Sequence, residues 1–325
     1  MLDNSILLTT SMSGQLVASD LKGNKLDNRR DHTKYLIQVS ARQTLNNSGH
    51  TDSNGTQAAT LIATAGWDNK VQIYYPSSSF TTTAAISDFR IGEPISTITL
   101  QTKPEAILWL THPITSDPIL LITRTDSNHI YFYTAEPTPR LLGTQNLAPH
   151  SNAWVAFTPS ALALCPTDPT LLAVGTNSVP HMKLLIVRLL VPAYRPNTES
   201  LANGPSGELP RPTQASQANA ALATAEKESA AILIHATTLA PQTPYSNPTV
   251  AWRPDGSGVW VNGDDGSVRG IEASTGKVVA TLRGHEEGSK VRCLWAGNVS
   301  VDGGEEELLV SGGFDQRLVV WKVPS

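Results

Sequence analysis

Apolar and polar residues alternate along this chain in short, strand-like runs. Stretches rich in Val, Ile, Leu, Thr and aromatic residues include Ser5–Thr10, Leu61–Thr64, Val71–Tyr75, Ile119–Thr123, His129–Thr134, Leu171–Val174, Lys183–Leu190, Ala231–His235, Val259–Asn262, Leu308–Ser311 and Arg317–Val323. Their spacing is close to the roughly 8–12 residues of meandering β architectures. Turn formers punctuate them at Ser13-Gly14, Lys22-Gly23-Asn24, Asp255-Gly256, Asp265-Gly266, Thr275-Gly276 and Asp302-Gly303-Gly304. Apolar residues at helical spacing are nearly absent. No helices are therefore at hand to make the crossovers of a doubly wound parallel sheet, and an all-β chain is expected.

The pattern repeats. Leu61–Tyr75 reads LIATAGWDNKVQIYY and Leu308–Val323 reads LLVSGGFDQRLVVWKV. Both run apolar strand, Thr or Ser, two small residues, aromatic, Asp, two polar residues, alternating strand, aromatic. Weaker copies begin at Gly263, Thr9 and Thr123. A histidine precedes each of the two best copies: His32 before Asp68, and Gly284-His285 before Asp315.

These motifs resemble the WD40 repeat family, in which each repeat is a four-stranded propeller blade with Gly-His near its start and Trp-Asp near its end. The match is strongest over Val278–Val323, where Lys322 stands in place of the terminal Asp; elsewhere the resemblance is one of strand order. It implies an all-β propeller of four-stranded antiparallel blades, filling residues 1–325 as a single domain. It also implies that His285, Ser311, Asp315 and Trp321 form a hydrogen-bonded chain inside one blade, and His32, Thr64, Asp68 and Tyr74 another. Such buried groups are tolerated only when each finds a partner. A Ser–His–Asp trio also suggests a hydrolase triad. The structural reading is preferred, because the Ser lies mid-strand without a nucleophile elbow and a similar set recurs in another repeat.

Strand counting gives about six blades. Residues 5–31 supply a second, third and fourth strand; 32–102, 103–149, 150–192 with 231–241 as outer strand, and 245–284 supply four blades; 285–325 supply three strands of a sixth. A polar loop, Gln43–Gln57, is expected between two strands of the second blade. The three-stranded ends leave two expectations open: an N-terminal portion missing from the chain, with a seventh blade then within reach, or one irregular terminal blade. The first is favoured. Residues 193–230, with four prolines, nine alanines and one aromatic, read as a disordered insertion, helical in its Ala-rich part from Gln214 to Ala231.

Composition narrows the function. The chain has 325 residues, 24 basic and 28 acidic, a net charge of −4. That balance gives no electrostatic footprint for nucleic acid or an anionic membrane. Cys165 and Cys293 sit in apolar runs without framework spacing, so both are read as buried free thiols of a reducing, intracellular compartment, cytoplasmic or nuclear. Residues 1–20 lack a basic, apolar leader pattern, and the longest apolar stretch, Leu184–Pro192, is far below the ~20 residues of a membrane helix.

Nucleotide-binding glycine loops and a Cys-x-x-Cys pair are absent, and His112, His129, His150 and His181 are scattered. The carboxylates Glu305–Glu307 read as a solvated loop, and Asp264-Asp265 as a turn. No catalytic residue, metal or cofactor is expected. What remains is binding to other proteins. Trp67 and Phe314, each just before a repeat Asp, and Arg292 are candidate partner-facing side chains, although the two aromatics also suit packing under a neighbouring loop. Trp109, Trp154, Trp252 and Trp295 read as core or blade–blade packing. The expected function is a non-catalytic interaction scaffold within an intracellular complex. The alternatives are a peptide or phospho-motif adaptor, which needs an arginine cluster, and a hydrolase, which needs polar groups converging in a central pocket.

Overall fold

Period-two alternation becomes sheet throughout. The computed structural model of the protein describes residues 6–45, 58–76, 88–135, 138–150, 157–193, 213–301 and 304–322, and these hold 22 strands and one helix. The first sheet is β1 (Ile6–Thr10), β2 (Leu16–Asp20) and β3 (Lys25–Arg29). The second is β4 (Leu36–Leu45), β5 (Ala58–Gly66), β6 (Lys70–Tyr74) and β7 (Pro94–Thr99). The third is β8 (Pro104–Thr111), β9 (Pro118–Arg124), β10 (His129–Thr134) and β11 (Leu141–Asn146). The fourth is β12 (Pro159–Leu164), β13 (Leu171–Thr176), β14 (His181–Arg188) and β15 (Ile232–Pro241), with the helix α1 (Gln214–Ala230) before its last strand. The fifth is β16 (Val250–Trp252), β17 (Gly258–Asn262), β18 (Ser267–Glu272) and β19 (Val278–Arg283). The sixth is β20 (Val291–Val301), β21 (Gly304–Gly313) and β22 (Leu318–Lys322).

Strands pair in chain order within every sheet. The fold is thus all-β, with six antiparallel meanders as the blades of a propeller. Four have four strands; the first and last have three. Six blades, not seven, are found among the described residues.

The backbone divides into two compact units, Met1–Ser127 with Tyr131–Leu141 and Thr158–Leu162, and Asn128–Ile130 with Leu142–Phe157 and Ala163–Ser325. In the first unit, alternate residues of one strand serve two cores. Leu61, Ala63 and Ala65 of β5, with Val71 and Ile73 of β6, pack against Ile107, Trp109, Leu120 and Ile122. Ile62 and Tyr74, on the other face, join Ile6, Leu16, Ala18 and Leu36. A sheet buried on both faces follows, each large aliphatic side chain contributing about 1.5–3 kcal/mol. Polar stitches join the second sheet to the third: Gln38 Oε1 accepts from Ile107 N–H at 2.8 Å, and Trp109 Nε1 donates to the Ser40 carbonyl at 3.2 Å.

In the second unit, Trp260, Val268, Val291 and Leu309 form a core flanked by Leu282, Leu294 and Trp321. A Cβ at Gly270 would lie 2.8 Å from the Trp260 ring, so a glycine there lets the indole lie against the backbone of β18. Trp252 Nε1 donates to the Ala163 carbonyl at 2.8 Å.

Several expectations change. Gln43–Leu45 belong to β4 rather than to a loop. Glu305–Glu307 lie within β21, and Glu307 grips Arg253 across 2.7 Å instead of being merely solvated. Cys165 is buried, but Cys293 is exposed. Trp109 and Trp252 are buried, whereas Trp295 is exposed; Trp154 lies outside the described residues. Both corrections in β20 have one cause: alternation marks a strand's two faces without saying which is covered.

Helix α1 forms where alanines accumulate. Thr213 caps it, its hydroxyl accepting from Ser216 N–H at 3.2 Å. Residues 194–212 of the expected insertion lie outside the described residues. The helix is mostly exposed, but Glu228 is buried and its Oε1 accepts the Asn146 N–H at 2.8 Å. Removing that acceptor strands a backbone donor. Glu228→Ala should therefore lower stability by about 1–3 kcal/mol, against almost nothing for Glu226→Ala on the exposed face, as read by chemical denaturation.

Candidate functional site

The chemistry of this chain gathers at hairpin turns. Five sheets place one residue of such a turn at positive φ: Gly14 at 82°, Asn69 at 62°, Asp126 at 60°, Gly266 at 77° and Gln316 at 62°. A non-glycine residue is strained there by roughly 1–2 kcal/mol and persists only where its surroundings hold it. At Asn69, Gly266 and Gln316 the preceding residue is an aspartate: Asp68, Asp265 or Asp315. The residue before that, Trp67, Asp264 or Phe314, donates its N–H to a carbonyl, of Tyr35 at 2.9 Å, Pro241 at 3.0 Å or Lys290 at 3.0 Å. Its side chain is thereby set at the tip of the turn.

In the sixth sheet the structure brings all four residues of one set together. Trp321 Nε1 donates to Ser311 Oγ at 3.0 Å, Ser311 Oγ lies 2.8 Å from His285 Nε2, and His285 Nδ1 lies 3.0 Å from Asp315. An indole only donates and a carboxylate only accepts, so the neutral chain runs one way: Trp321 to Ser311, Ser311 to His285 Nε2, His285 Nδ1–H to Asp315. Asp315 also takes the N–H groups of Glu286 and Arg317 at 3.1 and 3.2 Å, which closes the turn around Gln316.

The second sheet repeats the arrangement. His32 Nδ1 lies 2.8 Å from Asp68 and Nε2 lies 2.9 Å from Thr64 Oγ1, while Thr33 N–H donates to Asp68 at 3.1 Å. Tyr74 differs from Trp321 in that its hydroxyl donates to Asp31 at 3.3 Å besides interacting with Thr64. Burial pushes that hydroxyl well above its ordinary range; a side-chain hydrogen bond with Thr64 opposes the shift and the Asp31 carboxylate adds to it.

The fifth sheet has no histidine here. Buried Asn262 takes over, donating to the Asn247 and Val291 carbonyls at 2.9 and 2.8 Å and accepting from Thr249 N–H at 2.8 Å. Asp265 turns to Arg269 at 2.6 Å. Asp264 is more than a turn former: it pairs with Lys290 at 2.9 Å and accepts from the Ser246 hydroxyl. His112, one of the scattered histidines, accepts the Thr115 N–H at 3.1 Å and so orders its own turn.

The candidate partner-facing residues form two aromatic–cation pairs. Trp67 is exposed, meets Tyr35 edge-on at 5.1 Å, and carries the Lys103 ammonium 4.6 Å over its ring. Phe314 is exposed, and the Arg292 guanidinium stacks 4.2 Å over it. Nε and Nη1 of Arg292 are shielded from solvent and have no hydrogen-bond partner among the described residues. Tyr35 and Lys103 are not singled out by the sequence, since Lys103 is 36 positions from Trp67 and belongs to no repeat motif. Arg269 and Arg317 are occupied by Asp265 and Glu286, so no arginine cluster forms with Arg292.

Residues 2–322 match the family model described as UCP007778, beta-propeller domain, and the chain belongs to that family. No curated protein matches it. A chain in the crystal structure of a mitotic checkpoint complex is similar over 99% of this chain and 72% of its own length, with a TM-score of 0.55 and 14% identity. The computationally designed Ika8 protein is similar over 99% of this chain and 70% of its own, with a TM-score of 0.50 and 13% identity. At such identities the likeness is one of fold.

Two measurements check the turn networks. Ser311→Ala leaves the Trp321 indole without an acceptor and His285 Nε2 without a donor, and should cost about 1–3 kcal/mol in a denaturant melt. The second is acid sensitivity. Burial pushes the Asp68 and Asp315 carboxyls up, but the hydrogen bonds from His32 and Thr33, and from His285, Glu286 and Arg317, outweigh it and hold both below the ordinary 3.8. Their folded values thus lie below the unfolded one. Their contribution is complete above pH 3.8 and is lost as pH falls through the folded values. Asp68→Asn should lower stability at neutral pH and flatten its fall below about pH 4.

Proposed function

We propose that this protein is a non-catalytic protein–protein interaction scaffold, built of WD40-type blades, that serves as a subunit of an intracellular complex in the cytoplasm or nucleus. The observation that carries the reading is the pair of exposed aromatics at equivalent turn positions, Trp67 and Phe314, each roofed by a cation and each held by a strained, hydrogen-bonded turn. Rigid aromatics and arginines are the side chains that anchor interfaces, and a turn network that only fixes their direction fits recognition rather than chemistry. The histidine–aspartate–hydroxyl sets support the WD40 character of the blades.

The free thiols Cys165 and Cys293 favour a reducing compartment. Among the described residues no helix is long and apolar enough to cross a membrane. The mitotic checkpoint complex chain, alike in fold, belongs to a structure described as a complex.

The scaffold reading is tested by quantitative affinity purification of the wild type and a Trp67→Ala, Phe314→Ala double variant. Stable co-purifying proteins should fall at least tenfold for the variant while its melting temperature stays within about 2 °C. Recovery of the wild-type chain alone, as a monomer, would overturn it.

A further inference from the structure

The turns of the second and third sheets carry cations that no carboxylate answers. Trp67 stands at the β5–β6 turn, its N–H held by the Tyr35 carbonyl at 2.9 Å. The connection that follows β7 is tied to this turn at one end and to the β9–β10 turn at the other. Leu100 N–H donates to the Asn69 carbonyl at 2.8 Å, and Thr125 N–H donates to the Lys103 carbonyl at 2.8 Å. Trp67, Lys103 and Arg124 therefore follow one another along one strip, which Tyr35 and Lys34 extend on the other side of Trp67. All five belong to the first compact unit.

The cations of this strip keep their charge uncompensated. Lys103 lies 4.6 Å over the Trp67 ring. That attraction places the ammonium but leaves its three N–H donors for an acceptor, and no ion pair or hydrogen bond engages them among the described residues. Arg124 donates to Gln101 Oε1 at 2.9 Å and to the Tyr131 hydroxyl at 2.7 Å, both neutral groups. Lys34 is exposed, and Lys70 adds a fourth cation beside Asn69. Nearby carboxylates are occupied: Asp68 by His32 and the Thr33 N–H, and Glu105 by the Thr125 hydroxyl at 2.6 Å. Asp126 is exposed at the tip of the third sheet's turn and marks the end of the strip. The fifth and sixth sheets differ at their turns, where Arg269, Lys290 and Arg317 are each closed by a carboxylate of the chain.

We propose that the strip of Lys34, Tyr35, Trp67, Lys103 and Arg124 binds an acidic, extended segment of a partner protein. Charge complementarity selects the occupant: its carboxylates pair with Lys103, Arg124 and Lys34, and one apolar side chain among them packs on the exposed part of Trp67. The undescribed stretches of the chain do not have this composition, since none holds more than two acidic residues and the pair in 194–212, Glu199 and Glu208, stands nine positions apart. Nucleic acid is the competing polyanion. Its affinity grows with the number of phosphates neutralised, whereas this strip is short, ends at Asp126 and belongs to a chain of net charge −4. The proposal rests on the interaction reading above and gives its first aromatic a partner chemistry.

The probe is a fluorescein-labelled synthetic peptide, EDEFEDED, titrated against the 325-residue chain and followed by fluorescence anisotropy. It should bind, and its neutral counterpart QNQFQNQN should bind about tenfold more weakly. Raising sodium chloride from about 50 to about 300 mM should weaken the acidic peptide about fivefold. Lys103→Glu and Trp67→Ala should each weaken it about tenfold, and Lys34→Glu, at an exposed position, by a smaller factor, in chains that melt as the wild type does. The proposal is overturned if the acidic peptide does not bind, if salt and Lys103→Glu leave its binding unchanged, or if a single-stranded oligothymidylate binds more tightly. Partners lost from the Trp67→Ala, Phe314→Ala variant, with no peptide binding to the wild type, would keep the interaction reading and overturn this one. Peptide binding by a wild-type chain recovered without partners would do the reverse.

Discussion

A hydrogen-bond chain with one direction holds the blades of this protein to their shape. Trp321 can only donate and Asp315 only accept, so Ser311 and His285 between them have no freedom in where their protons point. Because Ser311, His285 and the Asp315 side chain are buried and Trp321 is half-buried, a missing bond would leave a poorly solvated polar atom, and the four groups depend on one another. Its far end takes the backbone N–H groups of Glu286 and of Arg317, the residue just after Gln316. In this way a contact inside the sheet holds a strained residue at its edge. The second blade reaches the same end with Tyr74, whose hydroxyl is drawn to Asp31 and leaves the His32–Asp68 pair to fix the turn. In the fifth, Asn262 bonds Asn247, Thr249 and Val291, and the turn itself has a glycine, Gly266, at positive φ.

Much of this was legible in the sequence because it is local. Strand alternation, glycine-bearing turns and the spacing of His32 to Asp68 and His285 to Asp315 all express geometry within one blade, and the six meanders and three-stranded ends follow from them. What the chain order concealed depends on neighbours. Cys293 and Trp295 carry the signature of a buried strand, yet their face of β20 is bare. Glu305–Glu307 look like solvent-loving loop residues, but β20 and β21 run long enough to pair them, and the partner of Glu307 is Arg253, 54 positions away. Asp264 has the composition of a simple turn; its ion pair with Lys290 arises only when the fifth and sixth sheets are adjacent.

The candidate site was legible in a similar proportion. Trp67, Phe314 and Arg292 are picked out by position next to a repeat aspartate or by charge near a strand start. Their cationic and aromatic company was not, because Lys103 and Tyr35 come from connections between sheets, where no periodicity applies. The fold itself decides little about function, since a designed protein and a checkpoint-complex chain share it.

The turns of the second, fifth and sixth blades share a constant frame: an aspartate, then a residue in the left-handed region, both clamped by backbone bonds. The position before the aspartate is indole in one, carboxylate in another and phenyl in the third. A substitution at Trp67 or Phe314 changes what the turn displays and leaves the aspartate and its backbone bonds in place, so the displayed group can vary while the strands stay as they are.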